Sequence, residues 1–295
     1  MRRLLAAAFT AISLVACSPV SATAGVSSTV NASATVPPAK AAAPATPDLI
    51  LATTTSTQDS GLLDVLIPNF QARTGYRVKV IAVGTGAALE MGQKGDADVL
   101  LVHAPASEVK LVQSGDVKDR RLVMHNDFII VGPATDPAGI KGMTSAVDAV
   151  KKIAAAQALF ISRGDNSGTQ QKELSLWSAA GLKPSGSWYE EAGQGMGATL
   201  KIASEKSAYT LTDRATYLAN KGNLNSVILL EGDKTLFNVY HVMVVNPEKH
   251  PKVNVAGATA FADYITSAAV QQMIAAFGMD KYGQGLFVAD AGKPE

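Results

Sequence analysis

From residue 48 onward, short apolar runs alternate with stretches in which apolar residues recur every three or four positions. The first pattern predicts strands and the second helices. Leu49, Ile50 and Leu51 read as a strand. Leu62, Leu63, Leu66, Ile67 and Phe70 line one face of a helix over 61–73, which Gly75 closes. Pro68 stands inside that helix and should kink it or remove a bond. Further strands are predicted at 77–83, 98–102, 128–131, 159–161, 227–230 and 239–245. Helices are predicted at 87–93, 105–113, 144–156 and 169–179, near 198–204 and 213–219, and along the tail at 257–277. Strands alternating with helices predict an α/β fold with largely parallel sheets. In such sheets ligands bind outside the carboxyl ends of the strands.

The first 47 residues follow another pattern. Met1-Arg2-Arg3 precedes an apolar run over 4–16, which reads as a secretory signal peptide too short to span a bilayer. Leu14-Val15-Ala16-Cys17 resembles a bacterial lipobox, which implies cleavage before Cys17 and lipid on its sulfur. Cys17 is the single cysteine, so no intrachain disulfide can form. A plain secretory signal with an incidental cysteine is the alternative. Two or more acyl chains would hold the protein stably on a membrane. Residues 18–47 are almost entirely Ala, Ser, Thr, Val and Pro, with Lys40 the one charge. Such a segment buries too little surface to offset its ordering entropy, and reads as a disordered tether. The expected location is the periplasm or the outer face of the cytoplasmic membrane.

Composition narrows the function classes. Apolar residues make up 47% of the chain and charged ones 17%, enough for a full core in one large domain or two lobes. The net charge of +1 leaves no electrostatic footprint for nucleic acid. His103, His125, His241 and His250 lie far apart without metal-ligand spacing, so no metal site is expected.

The unusual residues sit where strands end and helices begin. Thr53-Thr54-Thr55-Ser56-Thr57 follows the first strand. Consecutive hydroxyls are costly if merely buried, and make sense as donors around an anion or as helix caps. Asp59 or Ser60 suffices to cap the next helix. Gly84-Thr85-Gly86 follows the strand at 77–83, and its glycines let backbone approach a ligand closely. A dinucleotide fingerprint there would need an acidic residue after the next strand, which ends instead in His103-Ala104-Pro105. In Arg163-Gly164-Asp165-Asn166-Ser167-Gly168-Thr169 a fixed positive charge precedes a turn that opens a helix. Helix N-termini present unpaired N–H groups, so this loop can receive a small anion; a structural salt bridge is the alternative. Gly193-Gln194-Gly195-Met196-Gly197 opens another helix, as a donor site or as a hinge. Thr210-Leu211-Thr212-Asp213 is a further candidate junction, although Thr212 reads more simply as the cap of the helix near 213–219.

These motifs carry a family resemblance. Thr-Thr-Thr-Ser (53–56), Val-Gly-Thr-Gly (83–86), Gly-Asp-Ala-Asp-Val-Leu-Leu-Val-His-Ala (95–104), Asn-Asp-Phe-Ile-Ile-Val-Gly-Pro (126–133), Ser-Arg-Gly-Asp-Asn-Ser-Gly-Thr (162–169) and Tyr-Thr-Leu-Thr-Asp-Arg-Ala-Thr-Tyr-Leu (209–218) resemble the tungstate-binding proteins of bacterial ABC importers. The similarity runs from Asp48 to the C-terminus, whereas the Ala/Pro tether is peculiar to this chain. The resemblance implies a two-lobed periplasmic binding protein of type II, with a two-strand hinge and a ligand cleft between the lobes. One lobe would combine 48–127 with 241–295 and the other span 128–240. It implies Thr54, Ser56 and Thr85 as donors from the first lobe, and Arg163, Ser167 and Thr169 from the second. Thr53 and Thr55 alternate in direction with Thr54, which would turn them to the core. The implied ligand is tungstate or molybdate, with no cofactor and no direct protein–metal bond. The implied partners are the permease and ATPase subunits of the importer, served by a monomer.

A site made only of donors suits a tetrahedral dianion without a proton. Hydrogen bonds to a charged group contribute roughly 1.5–3 kcal/mol each, so several could give nanomolar affinity, about −12 kcal/mol. Phosphate is the nearest rival, because Asp165 could accept the proton of hydrogen phosphate. A secreted hydrolase is a remote rival: the chain has no Gly-x-Ser-x-Gly elbow and no His beside a Ser/Thr junction.

Overall fold

The structure, a computed structural model, describes residues 44–294. The predicted signal peptide at 1–16, Cys17 and the predicted tether as far as residue 43 lie outside them. β1 (Asp48–Thr54) passes into a short helix α1 (Thr55–Asp59), and α2 (Leu62–Thr74) follows. Next come β2 (Arg77–Val83), α3 (Thr85–Lys94), β3 (Val99–Val102), α4 (Pro105–Gln113) and the long β4 (Val117–Gly132). Then follow α5 (Ala146–Ala155), β5 (Phe160–Ser162), α6 (Gly168–Ala179), β6 (Tyr189–Glu191), α7 (Met196–Glu205), β7 (Thr210–Asp213) and α8 (Arg214–Asn220). β8 (Val227–Leu230), β9 (Phe237–Val245), α9 (Val255–Thr266), α10 (Ala268–Ala276), α11 (Met279–Tyr282) and β10 (Val288–Ala289) complete the order.

The α/β alternation is as predicted, but the pairing is mixed. β1 runs parallel to β2 and β3, and β5 parallel to β6. β9 runs antiparallel to β3 and β4, while β4 also takes β7, β8 and β10 antiparallel. The strand order is β10-β4-β9-β3-β1-β2, with β7 and β8 added along β4. β4 pairs with β9 from Val117 to Asp127, and from Phe128 it pairs with β7. Apolar patterning revealed only the end of β4, because 118–121 reads Lys-Asp-Arg-Arg. Backbone bonding to β9, not side-chain burial, makes that part a strand.

The predicted face of α2 is buried: Leu62, Leu63, Leu66, Ile67 and Phe70 all pack into the core. Phe70 stacks on Tyr76 at 5.9 Å and meets Phe261 edge-on at 5.3 Å. The helix continues past Pro68 to Thr74. Gly61, in left-handed conformation at φ 81°, starts it; Ser60 assists by accepting the Leu62 N–H at 3.3 Å, and Asp59 is engaged elsewhere. A second core gathers Trp177, Phe160, Tyr209 and Ile130. Trp177 packs edge-on against Phe160 at 5.4 Å and against Trp188 at 5.8 Å. The helical tail divides at Ser267, whose extended ψ of 147° separates α9 from α10.

Candidate functional site

Helices α1, α3, α6, α7 and α8 each open shortly after a strand ends. Hydrogen bonds tie these openings together. The Gly168 N–H of α6 donates to Thr85 Oγ1 of α3 at 2.9 Å, and the Gly86 N–H to the Asn166 carbonyl at 3.1 Å. Thr216 Oγ1 of α8 donates to the Ser56 carbonyl of α1 at 3.1 Å. The Met196 N–H of α7 reaches Thr55 Oγ1 at 3.4 Å.

The Arg163 loop is shaped by left-handed backbone at Gly164 (φ 63°) and Asn166 (φ 54°). A Cβ on Gly164 would stand 2.6 Å from the Glu191 side chain, so glycine is required for space as well as for φ. The loop carries the Arg163 side chain inward until only 1% remains exposed. Nη2 donates to Thr55 Oγ1 at 2.9 Å and to Asp165, while Nε reaches the Gln194 carbonyl at 3.4 Å. Burial presses the guanidinium pKa down and neighbouring Asp165 opposes that fall. Nη1 is buried and has no partner among the described residues.

Other donors in the set are also uncommitted. Thr169 Oγ1 is buried and has no partner among the described residues. Ser167 caps α6 by accepting the Gln170 N–H at 3.1 Å, and Thr85 accepts from Gly168. Neither hydroxyl donates to another group among the described residues, so both protons remain to be given. Leaving a buried donor unmatched costs about 1–3 kcal/mol. Repeating that cost within one loop calls for a functional reason.

Thr54 and Ser56 stand differently. Thr54 caps α1, and its Oγ1 lies 2.7 Å from Thr57 Oγ1 and 3.1 Å from Ser56 Oγ. His103 Nε2 lies 3.1 Å from both the Thr54 and the Ser56 hydroxyls. Burial first, and the nearby Arg163 charge second, push the His103 pKa down to about 3, so the ring is neutral at ordinary pH. A Cβ on Gly168 would stand 2.9 Å from that ring, so His103 packs directly on the start of α6. Thr54, Ser56, Thr85, Arg163, Ser167 and Thr169 therefore form one buried set, linked through Thr55, His103 and Gly168.

Two sequence expectations change here. Thr53 does face inward, donating to the Leu101 carbonyl at 2.7 Å, but Thr55 turns out to meet Arg163 because the chain has entered α1. Asp213, not Thr212, caps α8 by accepting the Thr216 N–H at 2.8 Å. Thr212 lies within β7 and its hydroxyl bonds to the Asp213 carbonyl.

Asp213 is fully buried, and burial raises its pKa to about 6 against the Thr216 bonds that lower it. Asn126 Nδ2 approaches its Oδ1 at 3.4 Å, and Asn238 Nδ2 donates to Asn126 Oδ1 at 2.8 Å. His103 and this amide pair were not among the expected site residues, while Thr55 and Asp213 lay in candidate junctions without these roles. The one signal for His103 was its place at a strand end, like the predicted donors.

Comparison with known proteins supplies the remaining context. The profile described as PBP superfamily domain matches residues 38–269. A tungstate-binding protein of Peptoclostridium acidaminophilum is 52% identical over 247 residues, covering 83% of this chain and 86% of the relative. One from Campylobacter jejuni is 44% identical over 241 residues, covering 80% and 88%. The crystal structure of a tungstate ABC transporter protein from Geobacter sulfurreducens aligns with a TM-score of 0.72 at 52% identity, covering 78% of this chain and 98% of that one. The tungstate-binding protein of Desulfovibrio alaskensis aligns with a TM-score of 0.68 at 47% identity, covering 83% and 99%.

Proposed function

The chain belongs to the PBP superfamily and, within it, to the family of the tungstate-binding proteins, and on that premise we propose that it captures tungstate outside the cytoplasm for an ABC-type importer. The observation that carries the reading at residue level is the pair of buried, partnerless donors on Arg163 Nη1 and Thr169 Oγ1. Tungstate at neutral pH is a tetrahedral dianion without a proton, so it accepts at every oxygen. Arg163, Ser167, Thr169 and Thr85 give protons to it; Thr54 and Ser56 add hydroxyls held by His103. Molybdate has the same shape and charge and is the second ligand of the site.

The lobes are assigned as 48–127 with 241–295, and 128–240. The change of partner along β4 between Asp127 and Phe128 supports that division. Thr54, Ser56 and Thr85 then face Arg163, Ser167 and Thr169 across the cleft, and the anion stabilises the closed form. The protein is a binder and not a catalyst, and it works as a monomer with permease and ATPase subunits. Lipid on Cys17 holds it to the membrane. Among the described residues no helix is long and apolar enough to cross one.

Phosphate is the second reading: Asp165 accepts from Arg163 and from the Ser167 N–H at 3.1 Å, one bond to each oxygen, and keeps lone pairs for the proton of hydrogen phosphate. Calorimetric titration with tungstate, molybdate, sulfate and phosphate tests the reading. Tight tungstate binding with sulfate and phosphate silent is expected. Tight phosphate binding would move the protein to the phosphate branch.

A further inference from the structure

We propose that α1 is a closure latch: Asp59 holds the N-terminus of α7 and Thr55 fixes the Arg163 guanidinium. The proposal rests on the cleft between lobes described above, since α1 lies in one lobe and α7 and Arg163 in the other.

The N-terminus of α7 lacks a cap of its own, because Gly195 at the N-cap offers no side chain. Its N–H groups are met from a segment far away in sequence. The Gly197 N–H donates to Asp59 Oδ2 at 2.9 Å, and the Met196 N–H reaches Thr55 Oγ1 at 3.4 Å. A carboxylate at this position meets both the free N–H groups and the positive end of the helix dipole. The glycines of 195–197 make room for α1. A Cβ on Gly197 would stand 3.0 Å from Asp59 Oδ2, and one on Gly195 would stand 3.2 Å from Thr55. The same Thr55 oxygen accepts from Arg163 Nη2 at 2.9 Å, which leaves Nη1 as the free arm of the fork. Closure therefore sets the direction in which Arg163 offers its remaining donor. From the far side of α1, Thr216 Oγ1 binds the Ser56 carbonyl.

The charge on Asp59 sharpens the argument. Its field reaches both Arg163 and Asp213. A carboxylate that close to an anion site opposes the anion by simple Coulomb repulsion. If charge were its whole effect, removing it would tighten binding. A latch predicts the opposite sign, because the closed form loses its tie to α7.

Asp59→Asn keeps the shape of the side chain and removes the charge. Gly197→Ala pushes the carboxylate away while leaving every proposed anion donor in place. Thr55→Val removes the hydroxyl that holds Arg163, and Thr55→Ser restores it. Tungstate titration by calorimetry should show roughly five- to tenfold weaker binding for Asp59→Asn, Gly197→Ala and Thr55→Val, with Thr55→Ser near the parent. Small-angle scattering at saturating tungstate should give Asp59→Asn and Gly197→Ala a larger radius of gyration than the parent. Affinities equal to or tighter than the parent, with unchanged scattering, overturn the latch. Arg163→Ala separates the two levels of the argument. If it abolishes binding while the latch variants do not, only the latch fails. If it too binds normally, the site reading itself has failed.

Discussion

The Gly168 N–H donates to the Thr85 hydroxyl oxygen at 2.9 Å across 83 residues of sequence. By accepting at that oxygen, Thr85 keeps its own proton for something else. Thr85→Val should therefore lose a charge-assisted bond to the anion, about 1.5–3 kcal/mol, while Thr85→Ser stays close to the parent. Calorimetry on the two variants decides. Equal affinity in Thr85→Val would take Thr85 out of the donor set.

Thr169→Val separates binding from stability. The hydroxyl has no partner in the folded protein, so burying a methyl in its place removes an unsatisfied polar group. Weaker tungstate binding together with an equal or higher thermal midpoint of the ligand-free protein is expected. A lowered midpoint would show that the hydroxyl supports the fold instead.

Arg163→Ala should weaken oxyanion binding by at least about 2 kcal/mol, because the ligand loses a buried charged donor. Arg163→Lys keeps the charge but not the fork that spans Thr55, Asp165 and the anion, so it should recover only part of the loss. Full recovery would mean that charge alone matters there.

His103 and Asp213 act in opposite directions on acid stability. His103 is held neutral to about 3, below its usual 6.5, so the unfolded chain takes the proton first and stability falls as pH drops below 6.5. Asp213 is raised from 3.8 to about 6, so the folded chain takes that proton first and stability rises as pH drops through 6 toward 3.8. The two contributions oppose each other across that window. Asp213→Asn should steepen the loss of stability on acidification, and His103→Gln should flatten or reverse it. Thermal midpoints of the ligand-free proteins from pH 4 to 7 test this; parallel curves for all three would refute the assignment.

Cys17→Ser should move the protein from the membrane fraction to the soluble one, because a stable anchor needs its acyl chains. Fractionation of cells carrying the two forms is the measurement, and unchanged membrane association would exclude the lipobox.

Legibility in the sequence followed the range of the interaction. The face of α2 could be read because Leu62, Leu66 and Phe70 repeat with the helix itself. Arg163, Ser167 and Thr169 could be read because strand end, charge and helix start fall within ten residues. β4 was largely hidden, since Arg120 and Arg121 look like surface loop until β9 supplies the opposite edge. β6 and α1 are too short for any period to show. His103 was missed because its hydroxyl partners lie 47 and 49 residues away, and Asp59 because Gly197 lies 138 away. Pro68 did not hide α2: the apolar face outweighed the one bond that a proline removes, and the helix spans it.

The partnerless donors of Arg163 and Thr169 also bear on how long each molecule survives. A ligand that completes those bonds adds its binding free energy to the folded state alone, by about 4 kcal/mol at a thousandfold excess over Kd. The loaded receptor opens far less often than the bare one, and so offers proteases fewer chances to cut. Filling those two bonds therefore raises the free energy needed to open the chain.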